Sequence, residues 1–213
     1  MEQLIEYLLH IDIHLFAFVS QYGTLAYAVL FLVIFCETGL VITPFLPGDS
    51  LLFAAGSLSA NQDQPLRIQL LFLLLLLAAI LGNKLNYIIG RTLGTKMSAA
   101  PHHWLFQKKH LAATHAFYEK HGGKALVISR FIPIIRTFAP FVAGISTMPL
   151  RRFSLYNIIS GLLWVGTLLG LGYLLGTLPF VKNNFTLAIY SIILLSLTPL
   201  CAAYFRRKLN STN

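Results

Sequence analysis

Two apolar stretches of this chain are long enough to cross a bilayer, yet neither can do so as a plain helix. Residues 41–60 contain Pro44, Pro47 and Gly48, and residues 125–147 contain Pro133 and Pro140. A proline inside a helix removes a backbone hydrogen bond and crowds the preceding turn, so each stretch is expected to fold as two half-length limbs, a re-entrant hairpin. Lipid offers no partner to the backbone groups so released, which confines such breaks to protein-lined or wet surroundings. Charge flanks both breaks: Glu37 and Asp49 bracket the first, Arg130 and Arg136 the second. Each ionisable group at membrane depth costs about 2.5–3.5 kcal/mol on insertion scales, so these four are read as functional.

The surrounding sequence sets the context. Of 213 residues, 56% are hydrophobic and 11% charged, a balance that excludes an ordinary soluble domain and points to an integral membrane protein. A crossing helix needs about 20 apolar residues, and residues 24–40, 66–90, 152–176 and 184–205 are the expected spans. Residues 1–23 read as an amphipathic helix on the membrane surface, and 95–123 as an amphipathic cytoplasmic linker stopped by Gly122. The expected fold class is therefore an all-α polytopic membrane protein, with a single membrane domain over 1–213. The net charge of +9 is spread along the chain without any nucleic-acid motif, so nucleic acid is not an expected partner. Glu2, Glu6 and Asp12 give the N-terminus the wrong sign for a cleaved signal peptide. Cys36 and Cys201 have no ligand spacing and read as packed thiols. His10 and His14 lack a third ligand and read as interfacial, so neither metal nor cofactor is expected.

Charge placement supplies the topology. With both termini cytoplasmic, eleven lysines and arginines fall in inside loops and only Arg67 and Lys182 in outside loops, as the positive-inside rule requires. Lys84 lies near a span end and can snorkel. The sequence also repeats at an offset of 86, where Ile42, Phe45 and Pro47 meet Ile128, Phe131 and Pro133, and Tyr87 and Gly90 meet Tyr173 and Gly176. Each half then holds a Pro-broken hairpin followed by a long helix. Because those helices run in opposite directions, the halves form an inverted repeat, an arrangement secondary transporters use. Gly166-x-x-x-Gly170 and Gly172-x-x-x-Gly176 allow close helix approach, read as packing within the chain, and the oligomeric state is left open.

Several motifs occur in order from about residue 24 to 180. They are Phe35-Cys-Glu37-Thr-Gly, Pro44-Phe-Leu-Pro47-Gly48-Asp49-Ser50, Asn86-Tyr87-x-x-Gly90-Arg91-x-x-Gly94 and Phe117-Tyr118-x-x-His121-Gly122. Arg130-Phe-x-Pro133-x-x-Arg136-Thr137, Ala143-Gly144 and Asn157-x-x-x-Gly161 complete the set. Together they resemble the DedA family of bacterial inner-membrane proteins, which carry a VTT, or SNARE-associated-type, domain. The resemblance implies a transporter of the cell envelope that returns undecaprenyl phosphate to the cytoplasmic leaflet, with phosphatidylethanolamine or general phospholipid movement as the alternative. It also implies a link to the proton-motive force through the membrane acids and arginines. Where many members have Gly-Asp before the Asn-Tyr pair, this chain has Gly82-Asn83-Lys84. A third proton site is therefore not carried over, and the roles of Asn83 and Lys84 stay open.

The chemistry of the four charges fits that expectation. Guanidinium groups hold phosphate through paired hydrogen bonds and remain charged, so Arg130 and Arg136 are the expected lipid-phosphate ligands. Apolar surroundings favour the neutral form of a carboxyl, which makes Glu37 and Asp49 the expected proton carriers. The bland alternative is that acids and arginines merely neutralise one another. A membrane lipid phosphatase or transferase would need a nucleophile or base beside the arginines, and no Ser-Gly-His cluster appears. No catalytic residue is assigned. A structural or assembly protein would instead tolerate neutral substitutions at all four positions.

Overall fold

A computed structural model describes residues 23–40, 48–60, 66–97, 122–146 and 148–178. These residues form six helices and no strand. In chain order the helices are α1 (Leu25–Gly39), α2 (Gly48–Ser59), α3 (Ile68–Met97), α4 (Lys124–Ser129), α5 (Pro133–Ile145) and α6 (Leu150–Gly176). The expected surface helix at 1–23, Pro44 and Pro47, most of the linker and the span at 184–205 lie outside the described residues.

Two helices, Ile68–Leu93 and Leu150–Gly176, are long and apolar enough to cross a membrane. Their surfaces fit lipid better than water. Only 33% of each apolar window is buried, whereas the core helix of a soluble protein would be mostly covered. Leu70, Leu73, Leu77, Leu81 and Ile88 stand exposed on α3, at the spacing of one helix face. So large a bare apolar surface marks an interaction with lipid or protein. Lys84 is exposed on α3 within the same span, as a snorkelling side chain would be.

The second broken stretch folds as two helices. α4 ends at Ser129, residues 130–132 form a turn, and α5 begins with Pro133 at its first position. Proline is well placed there because a first-turn N–H has no helical partner to lose. Pro140, expected as another break, instead lies inside α5. It leaves the Arg136 carbonyl without its N–H. The neighbouring Thr137 carbonyl accepts a hydrogen bond from Asn86 Nδ2 at 2.9 Å, so the helix is braced from outside where proline weakens it. In the first stretch, Gly48 opens α2.

The chain divides into two compact units, each assembled from separated segments. The first comprises residues up to Val33, Pro47–Leu76 and Val165 onward; the second comprises Ile34–Leu46 and Leu77–Trp164. In the first unit α2 is almost wholly buried and crosses α6 at close range. A Cβ on Gly172 would meet the Phe53 carbonyl, and one on Gly56 would meet the Leu169 carbonyl. In the second unit α5 crosses α3 in the same way. There, a Cβ on Gly90 would meet the Phe141 carbonyl, and one on Gly144 the Tyr87 carbonyl. Both short helices thus carry a Phe-x-x-Gly element, Phe53 to Gly56 and Phe141 to Gly144, against a glycine three residues past the opposed carbonyl. Only glycine lets two backbones meet this closely, as in small-residue contacts between membrane helices. The α6 partner is Leu169 with Gly172, one turn before the Tyr173 and Gly176 that the single sequence offset would select. Gly176 packs on Ser57, while a Cβ on Gly170 would meet nothing within 4 Å.

The second unit adds an aromatic core. Tyr87, Leu126, Ala139, Ala143 and Phe153 pack together, with the Tyr87 and Phe153 rings stacked at 4.3 Å. Tyr87 Oη donates to the Met148 carbonyl and accepts from Arg91.

Candidate functional site

Helix electrostatics make Glu37 and Arg136 unusual before their contacts are considered. Glu37 lies in the last turn of α1, where the helix dipole favours cations, and Arg136 in the first turns of α5, where it favours anions. Each is also fully or nearly fully buried, at 0% and 6% exposure. Both positions are unfavourable alone, and the two residues compensate each other directly: Arg136 NH2 donates to Glu37 Oε1 at 2.5 Å. Desolvating two ions costs several kcal/mol apiece, so the pair is poorly explained as a device for stability.

Arg130 approaches from the other side of the helix break. It caps the C-terminus of α4, the favourable end for a cation, with its side chain 2% exposed. Its NH1 donates to Ser160 Oγ at 3.3 Å and to Asn157 Oδ1 at 3.4 Å, long contacts compared with the Glu37 pair. The turn at 130–132 then has a geometric effect. Residues six apart on one continuous helix point in widely different directions, but across the break both guanidinium groups reach one ring. Arg130 and Arg136 lie 5.0 and 4.9 Å from the centroid of the Trp164 indole, itself 1% exposed.

An amide network surrounds these charges. Asn83 Nδ2 donates to Asn157 Oδ1 at 2.9 Å, and Asn157 Nδ2 donates to the Ile80 carbonyl at 3.0 Å. Asn86 Nδ2 bridges the Thr38 carbonyl at the end of α1 and the Thr137 carbonyl in α5. Asn83 Oδ1 and Asn86 Oδ1 are buried with no hydrogen-bond partner among the described residues, leaving acceptor capacity beside the charges.

The structure therefore brings three of the four expected site residues, Glu37, Arg130 and Arg136, into the second unit, together around Trp164. Asp49 belongs to the first unit, half-buried in the first turn of α2, where a helix dipole favours negative charge. Trp164 and the Asn157–Ser160 pair are functional candidates to which sequence reasoning gave no role. A signal was present: Asn157, Ser160 and Trp164 are spaced to share one face of an otherwise apolar helix.

The long, bare apolar helices and the buried charge cluster define a helical membrane protein. A VTT domain matches residues 46–174. The chain is 50% identical to Protein DedA of Escherichia coli (strain K12) over 205 residues, covering 96% of this chain and 94% of that protein. It is 42% identical to the inner membrane protein YghB of the same organism over 164 residues, covering 76% of this chain and 73% of YghB. An uncharacterized membrane protein of Mycobacterium tuberculosis is 39% identical over 178 residues, with 84% of this chain and 78% of that protein covered. No solved structure matches. The chain belongs to the DedA family.

Proposed function

We propose that this protein is a transporter, not an enzyme, that returns undecaprenyl phosphate to the cytoplasmic leaflet of the inner membrane using proton entry. The observation that carries the reading is the buried Arg136–Glu37 pair, with Arg130 held on the same indole. A phosphate headgroup offers arginine the same two-oxygen recognition as a carboxylate, so it can replace Glu37 as the partner of Arg136. Protonation of Glu37 removes the negative charge that competes for that guanidinium. The exchange couples proton uptake to phosphate binding. One charge crossing the field contributes about 2.3 kcal/mol per 100 mV, enough to bias such a cycle. The two glycine crossings support an inverted repeat, because each matches a hairpin limb to a long helix through one pattern. The charge bias of the loops supports cytoplasmic termini. Asp49 is a second proton carrier in this reading.

The test is leaflet-resolved movement of undecaprenyl phosphate in proteoliposomes, with and without a pH gradient. Movement is expected in the intact protein, absent in Arg130→Ala, and insensitive to the gradient in Glu37→Gln. Movement of phosphatidylethanolamine alone would overturn the substrate, and release of inorganic phosphate would overturn the transporter in favour of an enzyme.

A further inference from the structure

We infer that Trp164 is a positioning residue of the anion site, its ring holding the Arg130 and Arg136 guanidinium groups close enough together to serve one phosphate. The inference deepens the transport reading by naming how the headgroup site is held open, and it rests on that reading only for the choice of phosphate as ligand.

Like charges do not gather in a buried space without cause. The two distances to one ring centroid place the guanidinium carbons no more than about 10 Å apart, close enough for strong mutual repulsion where the effective dielectric is low. An indole is the aromatic side chain best able to attract cations through its ring, and the attraction grows when water is excluded. At 1% exposure, Trp164 meets that condition. Its ring supports both cations without supplying a formal anion.

Two further features suit this role. Arginine lies flat on aromatic faces while its N–H edge stays available for bonding. A guanidinium resting on the indole can therefore still present donors to phosphate oxygens. The contacts that orient the site also come from the helix that carries the ring. Asn157 and Ser160, seven and four residues before Trp164, receive hydrogen bonds from Arg130. One face of α6 thus hydrogen-bonds Arg130 and supplies the ring that it lies over, with Arg136 over the same ring from α5.

The chain has two tryptophans, so Trp104→Phe leaves Trp164 as the sole indole reporter in the full-length protein. Purified in dodecyl maltoside, this variant is titrated with dodecyl phosphate and with dodecylphosphocholine, a zwitterionic diester of equal chain length. A saturable change in Trp164 emission is expected with dodecyl phosphate at about tenfold lower concentration than with the phosphocholine, because two cations favour the more highly charged headgroup. No saturable change, or an equal response to both, overturns the site. Binding of radiolabelled dodecyl phosphate by the folded protein is then compared with melting temperature. Affinity is expected to fall about threefold in Trp164→Phe and about tenfold in Trp164→Leu, following the order of cation attraction. A merely structural tryptophan predicts lower melting temperatures with unchanged affinity in the folded fraction. That result overturns the inference, and Trp164→Phe supplies it even where the leucine variant fails to fold. If dodecyl phosphate binds as expected but no lipid crosses in proteoliposomes, the site stands and transport fails. If Arg130-dependent transport occurs while Trp164→Phe binds and moves lipid as the intact chain does, transport stands and Trp164 has no positioning role.

Discussion

The two units use one packing device for different chemistry. In each, a short helix carrying Phe-x-x-Gly meets a long helix at a crossing that only glycine permits. Around the α2–α6 crossing, buried residues are mostly apolar, including Leu51, Leu52, Phe53, Ala54 and Ala55. The unit holding the α3–α5 crossing buries Glu37, Asn83, Asn86, Arg130, Arg136 and Asn157. The same scaffold therefore supports an apolar interior in one unit and an ionic one in the other. Close backbone contact fixes the helices without help from side chains, leaving the nearby positions open to polar residues that would otherwise weaken a core.

The largest expected effect lies in the ionic unit. Arg136→Ala leaves Glu37 buried without its guanidinium and should cost about 3–5 kcal/mol, read from thermal or denaturant unfolding in detergent. The double variant Arg136→Ala with Glu37→Ala should recover much of that loss in stability while remaining inactive in transport. A double variant as unstable as the single one would break the claim that the pair is locally compensated.

Alanine at the crossings tests whether the device is shared. Gly56→Ala and Gly144→Ala each place a methyl group against a carbonyl and should destabilise by about 1–3 kcal/mol, the range for overpacked interiors. Similar losses would sharpen the comparison, whereas a large loss at one position and none at the other would break it. The smallest effect separates the units. Tyr87→Phe removes the hydrogen bond to the Met148 carbonyl and should cost about 1 kcal/mol, while the corresponding carbonyl-bearing residue in α6, Leu169, has no hydroxyl to lose. Unchanged melting of Tyr87→Phe would show that the hydroxyl adds nothing to the second crossing.

Much of this arrangement is legible from residue chemistry. Charges in apolar sequence stand out because their burial is costly, and Glu37, Arg130 and Arg136 fall within one unit. The long helices follow from their apolar lengths: the expected 152–176 corresponds to Leu150–Gly176, and 66–90 to the start and most of Ile68–Leu93. Other features leave little trace. The Phe-x-x-Gly crossings depend on backbone approach, which hydropathy does not record, and the sequence offset selects glycines one turn away. Pro140 reads as a breaker because propensity is local, whereas Asn86, more than fifty residues earlier, braces the weakened turn. Trp164 is hidden among leucines, since an aromatic residue in an apolar helix is ordinarily just bulk. The separation of Asp49 from Glu37 into different units is equally invisible, because both acids flank the same proline-rich stretch.

The assembly of each unit from distant segments has a consequence during synthesis. The ionic unit needs the end of α1, the second half of α3 and the start of α6, and the apolar unit needs pieces from both ends of the described chain. Neither can close when the first half of the polypeptide has left the ribosome. Asn83 and Arg130 must wait in the membrane for Asn157 and Ser160 on α6, so pausing or truncation before α6 should expose a half-built polar core to quality-control proteases.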